Sequence, residues 1–285
     1  MITKNPMQLK AFIKNKAAEK HISAQLVMQN YMLERLLERI SLSPYKTNFI
    51  LKGGFLISAI VGLDTRATMD LDTTIQGFAL THEAIYKIFT EICAIQIADD
   101  VQFEIISISD IRETDDYPGI RVALKANYPP IRVPLTVDIT TGDVITPREV
   151  EYTFSLMFDN RTIGILAYNL ETVLAEKLET VLSRNIANTR PRDYYDIHIL
   201  YALHGHECDK TTLHRALERT AQKRGSSMIL ADYPEIIKEI RKNNTLHRIW
   251  EKYRREYEYA KDISFDETCN TIQRIMNEII TISSD

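Results

Sequence analysis

Two aspartates separated by one leucine, Asp70 and Asp72 in "TMDLDTT", are the residues best placed to do chemistry in this sequence. On a β-strand, residues i and i+2 face the same side, so these carboxylates would lie roughly 7 Å apart at the backbone. Carboxylates so close repel each other, and a cation between them removes that cost. Mg²⁺ prefers such oxygens and often shares its site with substrate phosphates.

A third aspartate, Asp138 in "PLTVDIT", lies between two apolar residues on another predicted strand. A buried carboxylate without a partner is costly, so this position predicts one. If the two strands are neighbours, three carboxylates converge and could hold two metal ions for an in-line phosphoryl or nucleotidyl transfer. The alternative is a simple ion pair between Asp138 and an arginine such as Arg132.

Two adjacent glycines, Gly53 and Gly54, precede a predicted helix shortly before the aspartates. Exposed backbone N–H groups at such a helix start can receive a phosphate, and the helix dipole favours the negative charge. Ser58 and Arg66 follow in the same stretch, and Arg66 could contact a phosphate or offset the nearby carboxylates. A glycine pair or an Asp-x-Asp alone is usually a turn or a solvated loop, so the prediction depends on their joint occurrence.

Further along the chain, Lys177 in "LAEKLE" lies on the apolar face of a predicted helix, because it follows Val173 and Leu174 by four and three residues. A lysine there either extends its amine to solvent or pairs with anions. Asp193 and Asp196 in "RDYYDI" are three residues apart and share a helix face. Three arginines lie nearby and could bind triphosphate or RNA or form a solvated loop: Arg184, Arg190 and Arg192.

These residues must be positioned by a mixed α/β framework. Helical spacing predicts helix from about Pro6 to Ile40, with Ser23 capping a second helix, and again over residues 81–98 with Thr81 as the cap. Phe49-Ile50-Leu51 could be a strand or a helix entry, and we favour the helix entry. The segment Asp70–Gln76 is predicted to be a strand.

Strands dominate the centre of the chain and helices dominate its end. Alternation predicts strands within residues 101–111, 120–128, 131–140, 152–158 and 162–168, with a turn at "DDYPGI", residues 115–120. After Asn169 the pattern becomes helical. The sequence therefore predicts an α/β (α+β) core with N-terminal helices in residues 1–168 and a helical domain in residues 169–285.

Composition excludes several classes of protein. The 285 residues carry a net charge of −4, which does not suit a strongly basic nucleic-acid binder. The three cysteines are far apart, so zinc sites and a disulfide framework are not expected. No signal peptide or membrane span is apparent, and we expect a soluble cytoplasmic protein. Basic and aromatic residues mix in "LHRIWEKYRREYEYAK", where we favour an amphipathic helix packed inward over an RNA-stacking surface.

The motifs "KGG…RATMDLD" and "NLETVLAEKLETVLSR…RPRDYYDIHIL" carry a family resemblance. The first, followed by a later strand acid, resembles the nucleotidyltransferase-fold superfamily, which implies a mixed-sheet nucleotidyltransferase core. The second resembles the AbiEii/AbiGii toxin family, the toxins of bacterial abortive-infection toxin–antitoxin pairs. The resemblance covers roughly residues 45–205, and Thr73 departs from the apolar residue common after the Asp-x-Asp motif.

The resemblance implies roles for the residues named above. Gly53 and Gly54, with Ser58, would bind the nucleotide phosphates, and Lys177 would contact the triphosphate. Arg66 is added to the nucleotide-binding residues from its place in the sequence and not from the resemblance. The metal ligands would be Asp70, Asp72 and Asp138, and the residues implied in catalysis are Asp72, Lys177, Asp193 and Asp196.

The implied protein is a metal-dependent nucleotidyltransferase toxin of a type IV toxin–antitoxin system in phage defence. It would use Mg²⁺ (or Mn²⁺) to transfer a nucleotide from an NTP, with GTP or CTP possible, to an acceptor RNA, expected to be tRNA. A cognate antitoxin is expected, but a stable complex with it is not. The alternatives are a non-catalytic GTP-binding module and, less favoured, a small-molecule adenylyltransferase.

Overall fold

The computed structural model describes residues 5–111 and 119–282. The chain divides into two compact units, one formed by Met1–Asp143 with Val150–Ala167 and the other by Val144–Glu149 with Tyr168–Asp285. The turn predicted at residues 115–120 falls mostly on residues outside the described ranges.

The first unit contains the sheet and four of the described helices. The helices are α1 (Pro6–Lys20), α2 (Ala24–Leu42), α3 (Gly53–Val61) and α4 (His82–Ala94). The strands are β1 (Phe49–Lys52), β2 (Asp70–Ile75), β3 (Gln102–Asp110), β4 (Gly119–Tyr128), β5 (Ile131–Thr141), β6 (Val150–Ser155) and β7 (Thr162–Ala167).

The strands form one mixed sheet in the order β3-β4-β5-β2-β1-β7-β6. The β2–β5 and β1–β7 pairs are parallel, and the remaining neighbours are antiparallel. The predicted mixed α/β architecture is therefore confirmed. The neighbours that matter for chemistry are β2 and β5, because they carry the three aspartates.

The prediction for Phe49-Ile50-Leu51 was wrong, because these residues form strand β1 and not a helix entry. All three side chains are buried, and their backbone pairs with β2 on one side and β7 on the other. A short apolar run looks the same in sequence whether it becomes a central strand or a buried helical turn. The helix begins only at Gly53, directly after this strand.

Local sequence signals set the helix starts of this unit. The Ser23 hydroxyl accepts a hydrogen bond from the Leu26 N–H at the start of α2. The Thr81 hydroxyl accepts one from the Ala84 N–H at the start of α4. Both predicted caps are confirmed, and each satisfies one of the donors that a helix start leaves unpaired.

The two faces of the sheet differ in burial. Along β5 the odd-numbered residues from Ile131 to Ile139 are buried, whereas the even-numbered residues are exposed or half-buried. Helix α2 packs on β5 and β7, which explains the apolar face. Asp138 belongs to the other, more accessible face.

The second unit is helical. The helices are α5 (Leu170–Arg184), α6 (Pro191–His204), α7 (Lys210–Lys223), α8 (Ile229–Lys242), α9 (Asn244–Glu256) and α10 (Phe265–Ile282). Asn169 caps α5 by accepting from the Thr172 N–H, and Pro191 occupies the first turn of α6, where its missing N–H costs nothing. The predicted change to helix after Asn169 is confirmed.

The aromatic segment near the C-terminus packs as an amphipathic helix. Trp250 and Tyr253 of α9 are buried, and the Trp250 indole N–H donates to the Ile263 carbonyl. Tyr257 and Ile249 are half-buried. The inward-packing interpretation is confirmed for the two buried rings, and the RNA-stacking alternative stays a prediction. No described helix has the length and apolarity to cross a membrane.

Candidate functional site

A row of four charged residues crosses the sheet at one level. Lys52 of β1 is the register partner of Asp72 of β2, and Asp72 is the register partner of Asp138 of β5. Asp138 in turn faces Arg121 of β4. Register partners on adjacent strands point their side chains to the same face of a sheet, so two carboxylates are flanked by two cations. Asp70, two residues before Asp72, shares this face and is exposed.

We call Asp70, Asp72 and Asp138 the acid cluster. The sequence predicted that these residues would be brought together if β2 and β5 were neighbours, and the parallel β2–β5 pairing supplies that arrangement. Whether they bind metal stays a prediction.

The side chain of Asp72, on β2, lies beside the N-terminus of α3. Its Oδ2 accepts a hydrogen bond from the Gly54 N–H at 3.2 Å, so this carboxylate caps one of the unpaired donors of the helix. Gly53 has φ +65°, and a Cβ placed there would lie 2.1 Å from Asp72 Oδ2. The glycines therefore let the Asp72 carboxylate approach the helix N-terminus that the sequence had assigned to a phosphate.

The pKa of Asp72 is raised above its ordinary value. Burial is the main cause, and the negative charges of Asp138 and Asp70 add to it. The Gly54 N–H and the Lys52 ammonium act in the opposite direction without cancelling the effect. Its surroundings therefore disfavour the ionised form of Asp72, and a cation bound beside it would favour that form.

Asp138 is engaged by an arginine, but not by the one that the sequence suggested. Its Oδ1 and Oδ2 accept from Arg121 Nε and Nη2 at 2.8 and 2.7 Å. Arg132 is six residues away on the same strand, a distance of about 20 Å, and cannot reach Asp138. Asp138 therefore forms an ion pair, as the alternative expected, but its partner is Arg121 and not Arg132.

Lys52 is held by an acid outside the cluster. Its Nζ contacts Asp143 Oδ2 at 2.6 Å, and the Thr140 hydroxyl donates to the same oxygen at 2.7 Å. Burial opposes ionisation of Asp143, but Lys52 and the hydroxyls of Thr140 and Thr74 outweigh it and lower its pKa. This arrangement fixes a positive charge beside Asp72.

The other two predicted nucleotide contacts of the first unit lie in different places. Arg66 is buried beside Gly54, since its Nη2 would be 3.2 Å from a Cβ there, and it donates to the Ala67 carbonyl. Ser58 instead lines a cavity of about 400 Å³ with Lys16, Lys20 and Tyr152, and no residue of the acid cluster lines that cavity.

The acid cluster matches a hard divalent cation in donor chemistry, because it offers carboxylate oxygens on one accessible face. Its present arrangement does not enclose a cation. Among the described residues, no three Asp, Glu, His or Cys side chains lie close enough to hold one. Each Asp138 oxygen accepts one hydrogen bond from Arg121, so a cation bound by Asp138 would compete with the positive charge of this arginine.

The second unit brings together Lys177, Asp193 and Asp196, which we call the lysine–aspartate cluster. Lys177 Nζ lies 2.7 Å from Asp193 Oδ1 and 3.0 Å from Asp196 Oδ2. Both aspartates are buried, and Asp196 is 0% exposed, whereas Lys177 remains 20% exposed. The predicted inward direction of Lys177 on α5 and the shared face of the two aspartates on α6 both follow from helical spacing.

One oxygen in this cluster lacks a partner. Asp193 Oδ2 is buried and accepts no hydrogen bond from any described residue. A buried carboxylate oxygen left unsatisfied is costly and needs a specific explanation. A water, a cation or a ligand donor would satisfy it. The neighbouring arginines Arg184, Arg190 and Arg192 are all exposed, and Arg192 Nη2 donates to the Tyr257 hydroxyl at 3.0 Å.

Arg121 and Lys52 were not identified from the sequence. Arg121 falls on the polar positions of the alternating segment "IRVALKANY", so alternation places it on the same sheet face as other polar residues. Nothing in the spacing shows that it faces Asp138, because register between strands distant in sequence is set by tertiary pairing.

Comparisons with known proteins identify one family whose model matches this chain. A family model described as nucleotidyl transferase AbiEii toxin of type IV toxin–antitoxin systems matches residues 35–271. The fold is similar to the crystal structure of JHP933 from Helicobacter pylori, with 17% identity, a TM-score of 0.49, and coverage of 92% of this chain and 96% of that one. A second H. pylori structure, described as a candidate nucleotidyltransferase, gives 16% identity, a TM-score of 0.49, and coverage of 92% and 99%. No curated protein matches the chain.

Proposed function

The chain belongs to the AbiEii nucleotidyl transferase toxin family of type IV toxin–antitoxin systems, and from that premise we propose that it transfers a nucleotide from an NTP to an RNA in a metal-dependent reaction. The acceptor is tRNA, whose modification would block translation. The observation that carries the proposal is the register pairing of Asp72 with Asp138, with Asp70 on the same face and the glycine start of α3 against Asp72.

In the proposed reaction an acceptor hydroxyl attacks the α-phosphorus of the NTP. A new P–O bond forms, the bond from the α-phosphorus to the bridging oxygen breaks, and pyrophosphate leaves. The hydroxyl proton passes to a carboxylate. A divalent ion, Mg²⁺ or Mn²⁺, would be held by Asp70, Asp72 and Asp138 and would neutralise charge on the phosphates.

Residues of the first unit have distinct proposed tasks. The N-terminal turn of α3, with Gly53 and Gly54, receives phosphate oxygens when the Asp72 carboxylate turns to a cation. Arg66, beside Gly54, adds positive charge there. Ser58 belongs to the proposed nucleotide site by family resemblance, although the structure places it in the wall of a separate cavity.

By family resemblance, the lysine–aspartate cluster of the second unit is also proposed to bind nucleotide. Lys177 contacts the triphosphate, and Asp193 and Asp196 orient its ammonium. The contacts that support this role are those of Lys177 Nζ with Asp193 Oδ1 at 2.7 Å and with Asp196 Oδ2 at 3.0 Å, which hold the ammonium in one position. The side chain of Lys177 is 20% exposed, whereas that of Asp196 is 0% exposed, so the lysine is the more accessible of the two.

The proposal is tested by incubating the protein with each labelled NTP, Mg²⁺ or Mn²⁺, and total RNA. Wild type is compared with Asp72→Asn and Asp193→Asn. The matched control is Asp110→Asn, an exposed aspartate of the same sheet that pairs with His82. We expect labelled tRNA from wild type and the control, and a loss of about 100-fold or more in each site variant.

Other outcomes assign other functions. Calorimetric binding of GTP with no transfer to any acceptor would favour a non-catalytic nucleotide-binding module. Nucleotide turnover that requires an added aminoglycoside would favour a small-molecule adenylyltransferase.

Equal labelling by wild type and Asp72→Asn would contradict the assignment of the acid cluster. A cognate antitoxin is a proposed partner, without a stable complex.

A further inference from the structure

Arg121 sits where a bound cation would have to compete with it. Its guanidinium forms two hydrogen bonds with Asp138, through Nε at 2.8 Å and Nη2 at 2.7 Å. The two residues are register partners on β4 and β5, so the pairing is fixed by the sheet and does not depend on a flexible loop. While it persists, one lone pair of each Asp138 oxygen is occupied, and the positive charge of Arg121 repels a metal ion approaching the same carboxylate.

The charge of Arg121 acts on the whole acid cluster. Arg121 faces Asp138 across β4 and β5, and Asp138 faces Asp72 across β5 and β2, with Asp70 on the same face. Arg121 therefore partly neutralises three carboxylates that would otherwise repel one another. On the opposite side of the row, Lys52 contacts Asp143.

Solvent reaches the arginine side chain, which allows its displacement from this position. Its side chain is 50% exposed, whereas that of Asp138 is 19% exposed. An ion pair with a half-exposed partner is worth little compared with a buried one, because solvent screens it. Once released, a guanidinium has the planar donor fork that matches phosphate oxygens.

We propose that Arg121 is a displaceable counter-ion of the acid cluster, which competes with a divalent cation for Asp138 and, when displaced, binds the phosphates of the nucleotide. The inference rests on the proposed function, because it takes the acid cluster as the cation site. It makes Arg121 a nucleotide-binding residue as well as the partner of Asp138.

The first test measures cation binding without nucleotide or turnover. Free Mn²⁺ is followed by electron paramagnetic resonance while the intact protein is titrated, for wild type, Arg121→Gln and Arg132→Gln. Arg132 is an exposed arginine on β5 that does not contact Asp138 and controls for the lost charge. We expect Arg121→Gln to bind Mn²⁺ about three- to tenfold more tightly, as expected for removal of a partly exposed competitor, and Arg132→Gln to match wild type.

The second test measures nucleotide binding. The affinity of each variant for an NTP is determined by calorimetry at saturating Mn²⁺. Arg121→Gln should bind the NTP about tenfold more weakly, and Arg121→Lys, which keeps the charge but not the donor fork, should lie between it and wild type. Thermal unfolding of each variant establishes that the fold is retained.

The combined results separate this inference from the proposed function. Tighter Mn²⁺ binding with weaker NTP binding in Arg121→Gln supports the displacement. Mn²⁺ binding by wild type that Arg121→Gln leaves unchanged or weakens overturns the inference alone. If neither wild type nor Arg121→Gln binds Mn²⁺, the acid cluster is not a cation site and both proposals fail.

Discussion

The Asp72 side chain occupies the space in which any residue other than glycine at position 53 would place its Cβ. A Cβ on residue 53 would lie 2.1 Å from Asp72 Oδ2, and the carboxylate uses this proximity to accept the Gly54 N–H. A contact below 3.0 Å with a side chain fixed on a central strand cannot be relieved by a small rotation. The first glycine of the pair is therefore required by the position of the aspartate as well as by its backbone conformation.

Gly53→Ala is expected to lower both stability and transfer activity. The matched control is Gly225→Ala, because Gly225 also has a left-handed backbone, with φ +67°, but has no atoms within 4 Å of an added Cβ. Backbone strain alone should cost Gly225→Ala about 1 kcal/mol. Gly53→Ala should lose clearly more in the free energy of unfolding, measured in urea, and about 100-fold in activity. Equal losses of stability in the two variants would show that Asp72 simply moves aside.

Asp72→Asn is expected to lower transfer activity and, at the same time, to raise the unfolding temperature. The folded-state pKa of Asp72 is raised mainly by burial, so its ionised form opposes folding at neutral pH. That cost is absent below the unfolded-state pKa and grows as the pH rises through the folded-state pKa. Asp72→Asn should therefore lose activity by about 100-fold or more yet unfold at a higher temperature than wild type at pH 7.

The pH dependence provides the internal control for this variant. The difference in unfolding temperature between Asp72→Asn and wild type should shrink as the pH is lowered towards the unfolded-state pKa of an aspartate, because both side chains are then neutral. A variant less stable than wild type at pH 7 would mean that the Gly54 hydrogen bond to the charged carboxylate outweighs its burial.

Short-range spacing made part of this site predictable. Asp70 and Asp72 face one side because strand residues alternate, and Lys177 faces inward because helical residues recur after three or four positions. The caps at Ser23 and Thr81 follow from hydrogen bonds across three residues. Each of these features depends on neighbours in the chain, so the sequence contains it directly.

Long-range pairing was not predictable in the same way. Arg121 and Asp138 meet because β4 and β5 pair in one particular register, and a shift of one residue would turn Arg121 to the opposite face. The apolar triplet at residues 49–51 became a strand because β2 and β7 receive it on both sides. In both cases the structure depends on the strands that pair with the segment, and the local sequence does not indicate which strands these are.

Lys177→Met is expected to damage the fold as well as activity. It leaves two buried aspartates, Asp193 and Asp196, without the ammonium that neutralises them, and breaking such a buried pair typically costs about 3–5 kcal/mol. Denaturant unfolding should detect this loss. A single inactive variant therefore cannot distinguish a nucleotide-binding lysine from a structural one.

A compensated variant makes that distinction. Combining Lys177→Met with Asp193→Asn and Asp196→Asn removes the buried charges and should recover most of the lost free energy of unfolding. Activity should stay at least about 100-fold below wild type if Lys177 contacts the triphosphate. Recovery of both stability and transfer would show that the cluster only holds α5 and α6 together.

Helix α2 buries four charged residues that its sequence would place on a surface. Glu34, Arg35, Glu38 and Arg39 all have 4% or less of their surface exposed. Arg35 contacts both glutamates, Arg161 reaches Glu38, and the Met157 N–H donates to Glu34 at 2.6 Å. Oppositely charged residues at helical spacing usually form exposed pairs, so their burial was not predictable from the pattern.

Glu34 is expected to make the stability of the protein depend on pH near neutrality. Burial raises its pKa to about 7, although the Arg35 charge and the Met157 N–H act against it. Because the folded-state pKa exceeds the unfolded-state one, this contribution to stability is complete at low pH and is lost as the pH rises towards 7. Glu34→Gln should therefore gain stability relative to wild type between pH 5 and pH 8, by at most on the order of 2–3 kcal/mol. The exposed Glu83→Gln should show a nearly constant difference from wild type, and parallel curves for wild type and Glu34→Gln would mean that Arg35 keeps Glu34 ionised throughout.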